Sequence, residues 1–598
     1  MTRDEVKDLY AARISERQIE RQRREGKASL VSYARLLAFF SGVVMAWFVW
    51  ETDSVSWPWL FVPVVVFATL LTWHGRLYEG VRRAERSIRF YSRGLARLND
   101  EWAGTGNQGA AYAESALHHP YAGDLDIFGS GSLFELLATT ESPWGAKMLA
   151  EWLLSPASLH VIRERQQAVA ELAALVELRE EIAREHDPAV EDVDAETLSQ
   201  WAMEPAMLTS PAARVVAFIL GLASVVAGVG LLASWWTRLP LLTLILASTA
   251  FALSFRPRVR KVLSAVEDPA SALGVLSMLV ERLEGETFAS ARLVSLQQSL
   301  VSEGESASRQ IRRLIRLVNF LDARRNQLFI PFAALALWGT QFAFAIESWR
   351  QRSGPHVPGW ISAVAELDAL LAIATYAFEH PNDPFPTLRD EGVIYDAEGV
   401  GHPLIPAGRV VRNDVRFGDE IHLLVVSGSN MSGKSTFLRA VGINAVLAFA
   451  GAPVCARKLE LSLFAVAASI RIQDSLQEGI SHFYAEILRL RQVLELTSSS
   501  TPVLFLLDEI LHGTNSHDRR IGAEAVVRGL VDRGAVGFIT THDLALSKLA
   551  DAMDGSAANV HFEDQIVDGK IQFDYVMRDG VVKKSNALDL MRSIGLEV

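Results

Sequence analysis

The segment that most restricts the fold is 425–440, VVSGSNMSGKSTFLRA. It contains the pattern G-x-x-x-x-G-K-[ST] from Gly428 to Ser435, with the apolar run LLVV before it and a helix-like sequence after it. A strand, a glycine-rich turn and a helix in this order form the phosphate-binding loop of nucleotide-binding α/β domains. The sequence therefore predicts an α/β domain with this loop at the end of one strand.

The residues of this loop suit the phosphates of ATP. The glycines let backbone N–H groups turn towards phosphate oxygens, and the Lys434 ammonium adds a compact positive charge. The Ser435 hydroxyl is a ligand of the kind that Mg²⁺ takes, and the following helix start adds partial positive charge. The predicted phosphate contacts are Gly428, Ser429, Asn430, Met431, Ser432, Gly433, Lys434, Ser435 and Thr436.

Two later apolar runs also end in polar side chains. VLFLLDE ends at Asp508 and Glu509, and VGFITTHD reaches His542. We predict that Asp508 holds Mg²⁺ through water, that Glu509 orients and polarises the attacking water, and that His542 senses the γ-phosphate. A lone carboxylate pair or a lone histidine is usually structural. The order of loop, carboxylates and histidine on three successive strand ends predicts an ATPase.

The segment between them, RIQDSLQEGISHFYAEI, supplies two more candidates. Gln473 lies where a loop could reach Mg²⁺ and the attacking water. Ser481 precedes a long amphipathic helix, so it could be the N-cap of that helix. It could equally face the γ-phosphate of a second subunit in a sandwich of two ATPases around two nucleotides. The residues alone leave both roles for Ser481 open.

Apolar stretches without charge occupy much of the first 350 residues. A helix of about 20 apolar residues crosses a bilayer. Lys and Arg are frequent in residues 1–30 and 76–97 and absent from the connection ETDSVSW, which predicts hairpins with both ends inside. The uncharged stretches are 54–75, 215–237, 239–255, 326–346 and the shorter 36–50.

The stretch 326–346 is predicted to be a buried helix. If it also crossed the membrane, the phosphate loop would lie outside the cell, where ATP is absent. The alternative is that 36–50 does not cross and 326–346 does, and the basic N-terminus argues against it. The chain is therefore predicted to be a multi-pass protein of the inner membrane, with its N-terminus and ATPase region cytoplasmic.

Beyond these features, the residues resemble the MutS family of ABC-type ATPases. The resemblance covers about 115–205 and 262–595, where the upstream segments look like the helical core that links the family's DNA clamp to its ATPase. The matching segments follow the family's order: GHPLI, VVRNDV, SNMSGKSTFLR, GAPVCA, SHFYAEI, LLDEILHGT and THD.

This resemblance implies the roles given above for the loop, the carboxylates and His542, and it favours the second-subunit role of Ser481. It also implies a homodimer and DNA as a partner. Several positions depart from the family pattern. Ser429 replaces a proline, His482 a threonine and Arg519 a glycine, and EILHGT stands where the family has ELGRGT. The family's N-terminal mismatch-recognition domain has no counterpart, and the first hairpin occupies that region.

The predicted fold is multidomain: two transmembrane α-helical hairpins, a MutS-like α-helical core and a C-terminal α/β P-loop ATPase domain. The predicted boundaries are 1–105 with the first hairpin (about 31–50 and 56–74), 106–205 for the first part of the core, 206–262 with the second hairpin (about 215–234 and 239–255), 263–385 for the second part of the core, and 386–598 for the ATPase domain.

Two functions fit this organisation. One is ATP-driven engagement of DNA near the membrane, with mismatch repair as the family's activity. The other is an ATP-driven mechanochemical protein that acts on the membrane or a membrane partner without DNA. The net charge of −12 argues against an overall basic coat for nucleic acid, although local patches such as RQIRRLIRL remain. The single cysteine, Cys455, is predicted to be a small buried apolar residue.

Overall fold

The computed structural model describes residues 1–51, 56–140, 142–185, 194–302, 304–322, 329–429, 431–471, 482–542, 544–553, 555–567 and 570–582. The chain forms two compact units. The sheet unit contains Met1–Thr139, Leu149–Arg184 and Leu370–Val598, and the helical unit contains Thr140–Met148 and Glu185–Ala369. These units divide the chain differently from the predicted boundaries, since 106–139 and 149–184 group with the ATPase region.

The helices are α1 Arg3–Glu51, α2 Phe61–Leu98, α3 Ala110–Ala113, α4 Leu133–Leu137, α5 Pro143–Leu154, α6 Leu159–Ala174, α7 Val176–Glu185, α8 Ala195–Met203, α9 Pro211–Leu232, α10 Arg238–Ser264, α11 Glu267–Gly285, α12 Ala291–Ser299, α13 Ala307–Asp322, α14 Ile330–Leu335, α15 Trp338–Ser353, α16 Val357–Glu379, α17 Lys434–Ala450, α18 His482–Leu496, α19 Ser516–Val531 and α20 Leu544–Asp551.

The strands are β1 Val301–Ser302, β2 Glu305–Ser306, β3 Thr387–Arg389, β4 Ile394–Val400, β5 Asn413–Gly418, β6 Leu423–Ser427, β7 Lys458–Ser462, β8 Ala465–Ser469, β9 Val503–Asp508, β10 Val536–Thr541, β11 Ala557–Val567 and β12 Lys570–Asp579.

The sheet unit is built on a six-stranded sheet in the order β12-β11-β6-β10-β9-β8. All neighbours are parallel except β11 and β12, and a second sheet has the order β3-β7-β4-β5. Strands β6, β9 and β10 are runs of β-branched and other apolar residues with buried side chains, as expected for parallel strands covered on both faces. Helix α17 is buried over most of its length, so it lies in the core of the unit.

The first apolar hairpin consists of α1 and α2. A Cβ at Gly94 would lie 2.4 Å from the Tyr10 ring, so the glycine allows that ring to approach the α2 backbone. The Tyr10 and Tyr91 rings pack with centroids 5.2 Å apart. The part of the hairpin around Tyr10, Tyr91 and Gly94 forms its base. This base is closely packed inside the sheet unit.

Buried ion pairs join this base to the rest of the sheet unit. The Arg97 guanidinium donates to both carboxylate oxygens of Glu379 at 2.7 Å, and that carboxylate is almost fully buried. Arg17 donates to Glu180 at 2.6 and 3.0 Å, and the Tyr91 hydroxyl donates to the same carboxylate at 2.8 Å. Two-pronged pairs of this kind fix the geometry of both partners.

The helical unit contains the second apolar hairpin, α9 and α10. Pro211 occupies the first turn of α9, and the Ser210 side chain caps this helix by accepting from the Ala213 N–H. In the middle of the hairpin the Ser224 and Ser248 hydroxyls form a buried hydrogen bond of 3.2 Å. Small residues at such positions allow two apolar helices to approach closely.

The stretch 326–346 is not the single buried helix predicted from the sequence. Leu337 has a φ of 50°, in the left-handed region, and this residue separates α14 from α15. No residue of α14 is buried, whereas α15 buries Ala343, Phe344 and Ile346 among others. Residues 323–328 lie outside the described part of the chain. The prediction of burial therefore holds for α15 and is wrong for α14.

Within the described part of the chain, five helical segments are long and apolar enough to cross a membrane by length and composition. In the most apolar window of the last, Trp338–Glu379, 83% of the residues are buried within the protein. In the other four the buried share is 17, 0, 28 and 6%. The last segment is thus a core element, and the other four coincide with the two predicted hairpins. Those four segments are Arg3–Glu51, Trp57–Leu98, Pro211–Leu232 and Arg238–Gly285.

Candidate nucleotide site

The polar candidates meet at the carboxyl edge of three neighbouring strands. In the parallel register, Thr541 of β10 pairs with Ser427 of β6, and Thr540 pairs with Asp508 of β9. The strands therefore end at the same level, and each is followed by predicted site residues. The three strand ends predicted to carry the loop, the carboxylates and the histidine thus lie at one edge of the sheet.

The loop after β6 depends on two glycines. Gly428 has a φ of 145° and Gly433 a φ of 99°, and a Cβ at either position would crowd the structure. At Gly428 it would lie 2.8 Å from the Phe562 carbonyl oxygen, and at Gly433 it would lie 2.9 Å from the Tyr575 ring. The loop thus forms a cradle of backbone that a larger residue would fill, as phosphate binding requires.

Lys434 points into the loop. Its side chain is only 2% exposed, and Nζ donates to the carbonyl oxygens of Gly428 and Ser429, both at 2.8 Å. Nζ also lies 3.5 Å from Glu509 Oε1. Burial lowers the pKa of the Lys434 ammonium, and the carboxylates of Glu509 and Asp508 oppose that shift. The ammonium donates to backbone carbonyl oxygens, which phosphate oxygens can replace. Lys434 is therefore suited to bind phosphate.

Asp508 is held by a neighbouring strand. The Thr540 hydroxyl donates to Asp508 Oδ1 and accepts from the Glu509 N–H at 3.0 Å. Thr540 therefore fixes two groups: the Asp508 carboxylate at the end of β9 and the Glu509 backbone at the start of the next turn. Carboxylate and hydroxyl oxygens are the ligands that Mg²⁺ prefers, so Asp508 and Ser435 fit the cation expected with ATP.

Glu509 lies between two histidines. Its Oε2 is 2.9 Å from His512 Nε2, and its Oε1 is 3.5 Å from His542 Nδ1. The two imidazole rings are 5.2 Å apart between centroids. One ligand atom from each of the three residues lies within 4.8 Å of the others, a set that could also hold a transition metal ion. The predicted residues Glu509 and His542 are thus brought together.

The turn after Glu509 has an unusual backbone that two distant residues support. Glu509 and Leu511 have φ values of 46° and 60°. The buried Glu486 carboxylate accepts from the Leu511 N–H, while Arg519 donates to the carbonyl oxygens of Leu511 and His512, both at 3.1 Å. Leu511 and Arg519 both differ from the pattern of the resembled family. The contacts of Arg519 stabilise the turn that contains Leu511.

Ser429, another departure, also has a partner. Its hydroxyl donates to Asp564 Oδ1 at 2.8 Å, and its carbonyl oxygen accepts from the Ser432 hydroxyl at 2.7 Å. A proline at this position could not make the first contact. The serine therefore ties the phosphate loop to β11.

A cavity of about 470 Å³ adjoins the loop beside Gly433 and Thr436. Asn413 donates to the Tyr575 carbonyl oxygen at 3.0 Å and accepts from the Met577 N–H at 2.7 Å, which joins β5 to β12 beside the cavity. Burial lowers the pKa of His402 to about 4, so its ring is neutral at pH 7. The cavity is also lined by Ile405, Pro406, Val410, Phe437 and Phe562.

Three predicted site residues, Asn430, Gln473 and Ser481, lie outside the described residues. Met431 is exposed, whereas Ser432 is buried within the loop. Sequence reasoning did not single out His512, Thr540, Glu486 or Asp564. The departure of EILHGT from the family pattern was the available signal for His512. Cys455 is buried as predicted, and burial raises the pKa of its thiol to about 12.

Comparisons with known proteins match two parts of the chain. Residues 424–597 match the family model of MutS domain V, and residues 121–324 match that of MutS domain III. The second match runs across α9 and α10. The chain is similar to the DNA mismatch repair protein MutS of Geobacillus thermodenitrificans, with 31% identity over 252 residues, 41% of this chain and 27% of that protein.

Two other relatives extend this result. The DNA mismatch repair protein MutS of an Exiguobacterium species is 34% identical over 226 residues, 37% of this chain and 26% of that protein. Endonuclease MutS2 of Shouchella clausii is 30% identical over 240 residues, 40% of this chain and 30% of that protein. The chain thus spans less than a third of the length of these relatives.

Proposed function

Because the matches to MutS domains III and V support a place in the MutS family, we propose that this protein is a membrane-anchored ATPase that acts on DNA. One observation carries the proposal. Glu509 Oε1 lies 3.5 Å from both Lys434 Nζ and His542 Nδ1, at the carboxyl ends of adjacent parallel strands. Such a cluster of one buried cation, one carboxylate and one imidazole suits hydrolysis of a nucleoside triphosphate.

In the proposed reaction, water attacks the γ-phosphorus of ATP. Glu509 orients the water and accepts its proton as the new P–O bond forms and the bond to the β–γ bridging oxygen breaks. Lys434 exchanges its contacts with loop carbonyls for β- and γ-phosphate oxygens, and His542 lies beside the γ-phosphate. Mg²⁺, held by Ser435 and by Asp508 through water, would neutralise phosphate charge when bound.

The cavity next to Gly433 and Thr436 is the proposed place of the adenine ring. Its apolar lining and the neutral His402 suit a flat, uncharged base, and it opens where the loop holds the phosphates. Filling it with Val410→Trp should weaken ATP binding and leave binding of inorganic triphosphate unchanged. Equal losses for both ligands would place the base elsewhere.

We further propose a homodimer in which Ser481 and the N-terminus of α18 complete the site of the second subunit, with Gln473 near Mg²⁺. In a Glu509→Gln background, which retains ATP, Ser481→Arg should abolish the ATP-dependent increase in mass seen by light scattering. An unchanged ATP-dependent dimer would leave Ser481 only as a helix cap, whose loss costs roughly 0.5–2 kcal/mol.

Membrane anchoring is proposed from the exposed apolar faces of the two hairpins. Trp50 is 89% exposed and Leu246 73% exposed, which is unfavourable in water for side chains of this size. We place the N-terminus and the ATPase region in the cytoplasm and the hairpins in the inner membrane. Reporters fused at residue 110 and after Val598 should read as cytoplasmic, and one between Val55 and Trp57 as external. An external signal at Val598 would overturn this topology.

DNA is proposed as the substrate because the relatives named above are a mismatch repair protein and an endonuclease. The helical unit offers one matching surface. On α13, Arg309, Arg313 and Arg316 are exposed and lie three or four residues apart, so they line one face of the helix. Three such cations can contact successive phosphates of a nucleic acid backbone.

The alternative is an ATP-driven device that moves its hairpins without DNA. The buried Arg97–Glu379 and Arg17–Glu180 pairs favour it, since they join the first hairpin rigidly to the unit with the ATP site. A DNA titration of the detergent-solubilised protein across salt concentrations separates the two. Binding whose logarithmic salt slope falls by about one for each arginine removed from α13 supports DNA. No salt-dependent binding supports the alternative.

A further inference from the structure

A cavity of about 1050 Å³ lies in the helical unit. One face of α10 forms its long wall, and the segment from Pro331 to Thr340 forms the opposite wall. The wall residues on α10 recur every three or four positions, from Ile245 to Leu263. At 1.5 Å per residue, this face is about 27 Å long, nearly the thickness of the hydrocarbon core of a bilayer.

The chemistry of the wall changes along its length. In the part that belongs to the proposed membrane span, the lining on α10 is small or apolar: Ile245, Ser248, Thr249, Ala252 and Leu253. The small side chains leave room beside the helix. The facing wall adds Leu335 and the Trp338 ring, whose Nε1–H donates to the Phe320 carbonyl oxygen at 2.9 Å. This part of the groove suits a hydrocarbon chain.

Two arginines, with the Glu267 carboxylate at the start of α11, line the other end. Arg256 and Arg260 both line the cavity and lie one helical turn apart just beyond the apolar stretch. Both are exposed, and neither guanidinium has an ion pair or hydrogen bond with a residue that the structure describes. Arg258 lies between them in sequence and does not line the cavity. The two cations at the groove therefore lie at one end of one face of α10, where they outnumber the single carboxylate of Glu267.

An apolar groove with two cations at the membrane–water boundary matches one class of molecule. We infer that this groove binds an anionic glycerophospholipid, with its acyl chains along α10 and its phosphate at Arg256 and Arg260. Basic pockets at the cytoplasmic ends of transmembrane helices bind anionic headgroups in this way. A zwitterionic lipid has the same chains and lacks the net negative charge. The inference rests on the membrane anchoring proposed above.

The test is native mass spectrometry of the full chain released from nanodiscs containing equal amounts of phosphatidylglycerol and phosphatidylcholine. The wild-type protein should retain phosphatidylglycerol with at least a tenfold preference, which corresponds to about 1.4 kcal/mol. Arg256→Gln/Arg260→Gln should lose that preference, and the matched control Arg258→Gln should keep it. Ala252→Trp, which fills the groove and keeps both arginines, should lose retained lipid of either kind.

The possible failures are distinguishable. Equal retention of the two lipids by the wild-type protein, or an equal loss in Arg258→Gln, would overturn the lipid site. Added glycerol phosphate that competes as well as intact phosphatidylglycerol would show that the arginines bind phosphate without the acyl groove, which also overturns it. A chain that stays soluble without detergent and never enters nanodiscs would refute the membrane anchoring instead, while ATP binding would be untouched.

Discussion

Two regions contain the same apolar residue types with opposite burial. One is the pair of neighbouring strands β6 and β10, and the other is the half of the first hairpin near the connection between α1 and α2. Leu423 and Val425 in β6 are fully buried, whereas Leu37 in α1 is 73% exposed. Charges also differ. In β6, β9 and β10 the one charged residue is Asp508, at the strand edge that carries Lys434, while α1 has no charged residue between Arg35 and Glu51. The difference indicates that water surrounds the first region and supports the proposal that lipid surrounds the second.

In the proposed membrane anchoring, the base of the hairpin is where water and lipid meet, and its disruption should have the largest effect. Removing one partner of a buried ion pair costs about 3–5 kcal/mol, because the other charge stays buried. Arg97→Ala should therefore lower the apparent unfolding free energy of the sheet unit by about that amount. Arg13→Ala removes the more exposed pair with Glu177, so it should cost at most about 1 kcal/mol. Similar losses for both would show that the base is not a fixed joint.

A charge on the distal hairpin tests its solvent directly. Val65 on α2 is 60% exposed. In a bilayer, Val65→Arg should cost roughly 2.5–3.5 kcal/mol and reduce the fraction of protein in the membrane pellet. In water the same change should stay within about 0.5 kcal/mol. Ile19→Arg, at a 48% exposed position in the charged half of α1, serves as the control and should be tolerated. Equal tolerance at both sites would contradict the comparison.

A buried imidazole should make the stability of the sheet unit depend on pH. The pKa of His402 is lowered to about 4 in the folded chain, against an ordinary value near 6.5. As the pH falls below about 6.5, the unfolded chain binds the proton first, so stability falls until about pH 4 and then levels off. The contribution is about 3 kcal/mol. Urea denaturation from pH 7 to pH 4 should show a smaller decline in His402→Gln than in wild type. Parallel declines would contradict this burial.

The smallest effect is expected at the turn that carries Glu509 and His512. Arg519→Ala removes donors from the Leu511 and His512 carbonyl oxygens and should cost about 1–2 kcal/mol. ATP turnover should fall because the turn no longer holds the Glu509 region in place. The adjacent, exposed Arg520→Ala is the matched control and should leave turnover unchanged. A loss that is equal in both variants would refute this role of Arg519.

The nucleotide edge could be predicted from the sequence because its signals are local. The glycines of the loop and the carboxylates at the end of an apolar strand have fixed spacing, and the parallel register then brings them together. The partners of the turn could not be predicted. Glu486 and Arg519 reach it from two separate helices, and their packing decides these contacts.

The break in the stretch 326–346 also escaped sequence reasoning. It has no charged residue, and no glycine stands at Leu337, where the backbone turns into the left-handed region. The ion pairs at the hairpin base could not be predicted for another reason. Glu180 and Glu379 lie about 160 and 280 residues from their arginine partners, beyond what charge patterning along one helix can reveal.

The central claim is that the cluster at the sheet edge hydrolyses ATP, and phosphate release by the purified, membrane-reconstituted chain tests it most directly. The wild type should turn over ATP in the presence of Mg²⁺. Glu509→Gln should bind ATP as well as wild type and hydrolyse it about 10²–10⁴ times more slowly, because the amide cannot accept the proton from water. Glu524→Gln, an exposed carboxylate on α19, should behave as wild type. Hydrolysis by Glu509→Gln at the wild-type rate would contradict the account.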